Sequence, residues 1–101
     1  MGRNVPQHPD MKDYCRILEV HHEASVDVIE RAYRTLARKY HPDSFPPEQR
    51  EWATARMQEI NEARDVLTDP KLRAQYLRWR RMEFWRLFWR EGIAGLSRHW
   101  R

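Results

Sequence analysis

The stretch from Val26 to Asp43, VDVIERAYRTLARKYHPD, constrains this chain more than any other. Placed at about 100° per residue, Ile29, Ala32, Tyr33, Leu36, Ala37 and Tyr40 fall on one arc, as in a helix with a single buried face. Arg31, Arg34 and Arg38 fall on nearly the opposite side and line up as one basic stripe. Ser25 precedes the run and can cap the first turn through its hydroxyl, while Asp27 complements the positive end of the helix dipole. Pro42 disfavours helical backbone at His41, so the pattern predicts a helix that stops at Tyr40 or His41. His41, Pro42 and Asp43 then occupy a turn beside an exposed basic face. Such an arrangement is a docking surface.

The flanking segments supply partners for the apolar arc. Asp13 to Glu19 reads as a short helix with Tyr14, Ile17 and Leu18 inward, followed by a connector, Val20 to Ala24. After the central helix, Ser44-Phe45-Pro46-Pro47 is a short stiff loop. Glu48 and Glu51 then fall in the first turns of a helix that runs to about Leu67. Its Ala53, Met57, Ile60, Ala63 and Leu67 repeat at helical spacing and face Ile29, Leu36 and Tyr40. Asp69-Pro70 reads as the N-cap and first position of a last helix. The expected fold is all-α, with two antiparallel helices closed by a short first one.

In this order and at this spacing the chain resembles the J-domains of DnaJ-type co-chaperones. The Asp13-Tyr14 start and Leu18-x-Val20 end resemble the family's first helix, and Val26 to Asp43 its second helix and His-Pro-Asp loop. Met57-x-x-Ile60-Asn61-Glu62-Ala63 and Val66-Leu67-Thr68-Asp69-Pro70 resemble the third helix and its exit, and Arg73-Ala74-Gln75-Tyr76 the start of the fourth. The resemblance covers residues 12–78. It implies a protein that docks on an ATP-bound DnaK-type chaperone and stimulates ATP hydrolysis there, with no active site or cofactor of its own. It carries over to Tyr33, Arg34, His41, Pro42 and Asp43 as partner-binding residues, with Arg31 and Arg38 extending the basic stripe. Asp43 would reach a partner arginine that restrains the catalytic lobe, with Pro42 fixing its direction. Glu30 and Thr35 stand where the family is often basic, which narrows the stripe, and Arg64 replaces a common aromatic residue.

Other chemistry is poorly supported. Ser25, Ser44 and Ser97 lack a nucleophile elbow, and three glycines form no phosphate loop. His21 and His22 have no cysteine or acidic cluster at ligand spacing, so no metal site is expected. The single cysteine, Cys15, excludes an internal disulfide and suits a reducing compartment. No apolar run approaches the roughly 20 residues that span a bilayer. The N-terminal MGRNVPQHPDMK has no hydrophobic signal region, and Pro6 stands where a myristoylation motif wants Ser or Thr. A cytoplasmic protein is expected. Residues 1–11 read as a loose arm holding a second His-Pro-Asp, His8-Pro9-Asp10. With no helix leading into it, this copy is assigned no role.

Charge divides the chain. Residues 1–70 carry 10 Lys/Arg against 13 Asp/Glu, whereas residues 71–101 carry 9 against 2, along with four of the five tryptophans. Where J-domains usually end, helix-forming sequence continues as a C-terminal extension, residues 79–101, and Gly92 and Gly95 are expected to break it. On the wheel its apolar residues spread nearly all round, interleaved with Arg78, Arg80, Arg81, Arg86 and Arg90. Trp79, Phe84, Trp85, Phe88 and Trp89 are the candidate accessory surface. They would pack on their own domain, bind a protein partner or client, or self-associate. An anionic membrane or nucleic acid is favoured by charge but not by the scattered pattern. The competing function classes are therefore a basic helical module for nucleic acid or an anionic membrane, and a J-like domain serving only in assembly.

Overall fold

The computed structural model describes residues 11–99, with side chains as far as Arg90. Among them are four helices and no strand: α1 (Tyr14–Leu18), α2 (Val26–Lys39), α3 (Arg50–Leu67) and α4 (Pro70–His99). The expected all-α, four-helix architecture is the observed one. Local chemistry sets most of the boundaries. The Ser25 hydroxyl accepts from the Val28 N–H at 3.3 Å and starts α2. Asp69 does the same for α4, its Oδ1 accepting from Lys71 N at 2.9 Å and Leu72 N at 3.1 Å, with Pro70 in the first position. Tyr40 closes α2, and His41 is already extended at ψ 130°. Two single 3-10 turns, Pro42–Ser44 and Pro47–Gln49, carry the chain into α3.

Contacts across the α2–α3 seam run in opposite sequence order, so the two helices are antiparallel. Glu30 meets Arg64, Tyr33 meets Asn61, and Tyr40 meets Trp52. The core behind this seam holds Leu18, Ile29, Ile60, Val66, Leu67, Tyr14 and Tyr76, each almost fully removed from water. Two tyrosines in such a core require partners for their hydroxyls. Tyr14 donates to Glu62, and Tyr76 donates to Asp13 Oδ1 at 2.6 Å while accepting from the Cys15 N–H at 3.3 Å. Burial, reinforced by those acceptors, pushes both hydroxyls well above the ordinary tyrosine range. Tyr76 thereby ties α4 to α1. A further tie comes from Arg73, whose guanidinium donates to the carbonyls of His22 and Ala24 at 3.0 and 2.7 Å.

Only the first turns of α4 belong to the core. Leu72, Leu77 and Trp79 pack partly against the cluster around Tyr76. At 1.5 Å per residue the helix is about 45 Å long, close to the 48 Å long axis of the molecule, so it outruns the domain. The expected break at Gly92 and Gly95 is corrected: α4 continues through both to His99. A helical glycine costs about 1 kcal/mol relative to alanine, and no proline follows in the sequence to force a stop. Of the expected arm 1–11, Met11 is instead buried in the core; residues 1–10, including His8-Pro9-Asp10, and the end of the extension, Trp100 and Arg101, lie outside the described residues.

Candidate partner-docking site

The His41–Asp43 turn is built by its own side chains. His41 Nδ1 accepts from the Asp43 N–H at 3.1 Å, and Pro42 opens the 3-10 turn that points both polar residues outward. Backbone bonds from Ser44 to His41 (2.9 Å) and Phe45 to Pro42 (3.1 Å) close it. The Asp43 side chain is 88% exposed and that of His41 57% exposed, 3.8 Å apart at their nearest polar atoms. An exposed carboxylate on a proline-fixed turn has no core role.

Beside it, Arg31, Arg34 and Arg38 are exposed along the outer face of α2, while Ile29 and Leu36 hold the inner face in the core. The turn follows directly on the C-terminal end of this helix, past Tyr40. Tyr33, expected with them, is half-buried at the seam. Its hydroxyl donates to Asn61 Oδ1 at 2.9 Å and its ring lies under the Arg64 guanidinium, 5.0 Å from the centroid. The second set of expected residues divides. Trp79 packs on the core, whereas Phe84, Trp85 and Trp89 are exposed, and Phe88 lies between the rings of Trp85 and Trp89.

Sequence reasoning missed Trp52. Its ring stands edge-on to Tyr40 at 5.8 Å and to Phe45 at 5.5 Å, so it braces both ends of the turn while remaining 54% exposed. Arg56 lies over the same Tyr40 ring at 5.4 Å. The available signal was a tryptophan off the apolar stripe of α3, which a helix does not place there for packing.

Also missed was the pairing of two unusual residues. Arg64 forks onto Glu30, Nε to Oε1 at 2.7 Å and Nη2 to Oε2 at 3.1 Å. The hydrogen bond from Arg64 holds the Glu30 carboxyl below its ordinary range, and Glu30 in turn raises Arg64. A depressed carboxyl stabilises the fold while ionised. That contribution is present at neutral pH and is lost as pH falls through and below the ordinary glutamate range. Glu30→Gln is expected to flatten the acid limb of a thermal-stability profile. Its cost at neutral pH should be about 0.5–1 kcal/mol, as for a half-exposed pair. An unchanged acid limb contradicts the pairing.

Cys15 and the two adjacent histidines are taken up by the fold. Burial pushes the Cys15 thiol up, which disfavours the nucleophilic thiolate. His21 Nδ1 is taken by the Glu23 N–H and its ring stacks on His22 at 4.1 Å. Among the described residues no group of three potential ligands gathers for a metal.

Comparison with known proteins follows the same segments. A family model described as DnaJ domain matches residues 13–76, more than half of the chain. The chaperone protein DnaJ of Thermotoga maritima is 46% identical over 70 residues, which are 69% of this chain and 19% of that protein. That of Dictyoglomus thermophilum is 49% identical over 69 residues, 67% of this chain and 17% of the relative. That of Caldicellulosiruptor bescii is 41% identical over 86 residues, 85% of this chain and 22% of the relative. The chain spans about a fifth of the length of these curated relatives.

Proposed function

The chain belongs to the DnaJ-domain family, and on that premise we propose that it is a co-chaperone that docks on an ATP-bound DnaK-type chaperone and stimulates its ATP hydrolysis. Arg31, Arg34 and Arg38 steer α2 towards acidic surface on the partner and can make bidentate contacts there. His41, Pro42 and Asp43 then enter at the end of α2. Asp43 engages a partner arginine that otherwise restrains the catalytic lobe, Pro42 sets its direction, and Tyr33 contributes its exposed edge. The phosphoryl chemistry occurs in the partner. We place the protein in the cytoplasm, where a chaperone of this class is met and where the lone thiol of Cys15 stays reduced. Residues 79–101 lie beyond this docking surface and form an accessory region with a contact of its own.

The observation that carries this reading is the exposure of Asp43 on a turn built by His41 and Pro42, at the end of a helix that exposes Arg31, Arg34 and Arg38. It is tested by single-turnover ATP hydrolysis in a purified DnaK-type chaperone, with and without the chain. The stripe gives a separate prediction. Exposed charges act on encounter, and screening over about 10 Å at 0.1 M salt removes the benefit. Arg34→Glu is expected to slow association roughly tenfold at low salt and to flatten the salt dependence, with dissociation little changed. Association at the wild-type rate in low salt would make the stripe a merely solvated face.

A further inference from the structure

The apolar side of α4 changes halfway along the helix. Leu72, Tyr76 and Trp79 share one side and are taken up by the core. Placed at about 100° per residue, Phe84, Trp85, Phe88 and Trp89 centre on the opposite side, with Met82 at the boundary between the two. The continuation of the core-facing side is occupied by Glu83, Arg86 and Arg90, with Leu87 the one apolar residue among them. Apart from Leu77 and Leu87, the apolar residues that seemed scattered over the whole wheel thus fall into two stripes in series, turned by about half a revolution. The second stripe is open to solvent: Trp89 is 74% exposed, Phe84 62% and Trp85 51%. A contiguous apolar face of this kind calls for a partner surface.

Charge and ring geometry select the partner. Arg78 and Arg81 lie on the same side as the rings. Glu83, the one acid between residues 79 and 90, is already paired with Arg86. The segment from residue 71 onward carries nine basic residues against two acidic ones. A second copy would bring two such segments together, against their mutual repulsion. Single-stranded nucleic acid stacks on open ring faces. Here Phe84, Trp85, Phe88 and Trp89 meet edge to face in succession at 5.6 Å and interplanar angles of 77–89°, leaving no parallel platform. An anionic lipid surface offers apolar depth for the rings and phosphates for arginine heads whose stems lie along the same face. No helix among the described residues is long and apolar enough to cross a membrane, so the segment lies in the surface plane. The turn of the apolar side also puts the domain on one side of the helix and the rings on the other, as an in-plane anchor needs.

We propose that Arg78–Trp89 of α4 anchors the protein to an anionic lipid surface, with Trp85, Phe88 and Trp89 inserted and Arg78 and Arg81 on the headgroups. This stands apart from docking through His41–Asp43. The test uses the full chain with vesicles of phosphatidylcholine alone or mixed with phosphatidylglycerol, read by co-sedimentation. Lipids brominated in their tails report whether tryptophans enter the acyl region. Binding is expected on the anionic vesicles, absent on the neutral ones and weakened by salt, with tryptophan emission quenched. Trp85→Ala combined with Trp89→Ala should lower partitioning by about tenfold or more with helicity unchanged, since both side chains are exposed. The quenching measurement holds for the unaltered chain even if that variant misfolds. Four results would overturn the proposal: no vesicle binding, binding without quenching, tighter retention on a single-stranded oligonucleotide, or a dimer that Trp89→Ala dissolves.

Discussion

Tyr76→Ala is expected to cost about 3–5 kcal/mol, the range for deleting a buried aromatic side chain. Small domains hold about 5–15 kcal/mol in all, so a substantial share of the reserve would go. The melting midpoint should fall by roughly 15–30 °C. The size of the effect follows from what the residue joins. Its ring is fully buried, 5.6 Å from Tyr14 and 6.0 Å from Trp79, and its hydroxyl bonds Asp13 and the Cys15 N–H on α1. Removing it opens a cavity and severs α4 from α1 together. Tyr76→Phe separates the two contributions. It keeps the ring but leaves Asp13 and the Cys15 amide without that partner, at about 1–3 kcal/mol. Thermal unfolding followed by circular dichroism measures both. A Tyr76→Ala protein within 1 kcal/mol of wild type, against the roughly 3–5 expected, would show that α4 is not part of the core.

What the sequence disclosed and what it hid follow from the range of the interactions concerned. The start of α2 at Ser25, its end before His41 and the start of α4 at Asp69-Pro70 were legible because cap and proline chemistry acts within a few residues. The inner stripes of α2 and α3 were legible because each helix has one buried side for its whole length. For α4 that assumption fails. A wheel sums residues over the entire segment, so two stripes on opposite sides looked like no stripe at all until the core showed which residues it covers. The Glu30–Arg64 fork and the Tyr40–Trp52–Phe45 cluster each join residues far apart in the chain, and no spacing rule reaches across α2 and α3 to find them. The continuation of α4 past Gly92 and Gly95 is a matter of degree. Glycine weakens a helix, but it ends one only where the backbone has somewhere else to go.

Asp43→Asn is expected to abolish stimulation of the partner's ATPase while leaving the domain folded. The substitution keeps size and shape and removes one charge. Losing one member of a desolvated charge pair across an interface costs about 2–5 kcal/mol, enough to return the partner to its unstimulated rate. Folding should be indifferent, because the side chain is 88% exposed and the His41 ring 3.8 Å away is itself exposed. Asp10 provides the internal comparison. It closes the same tripeptide, His8-Pro9-Asp10, outside the described residues. The decisive measurement is single-turnover ATP hydrolysis by a purified DnaK-type chaperone in the presence of wild type, Asp43→Asn and Asp10→Asn, with circular dichroism on each. The account predicts stimulation by wild type and Asp10→Asn and none by Asp43→Asn, at equal helicity. Full stimulation by Asp43→Asn, or an equal loss in Asp10→Asn, would contradict it.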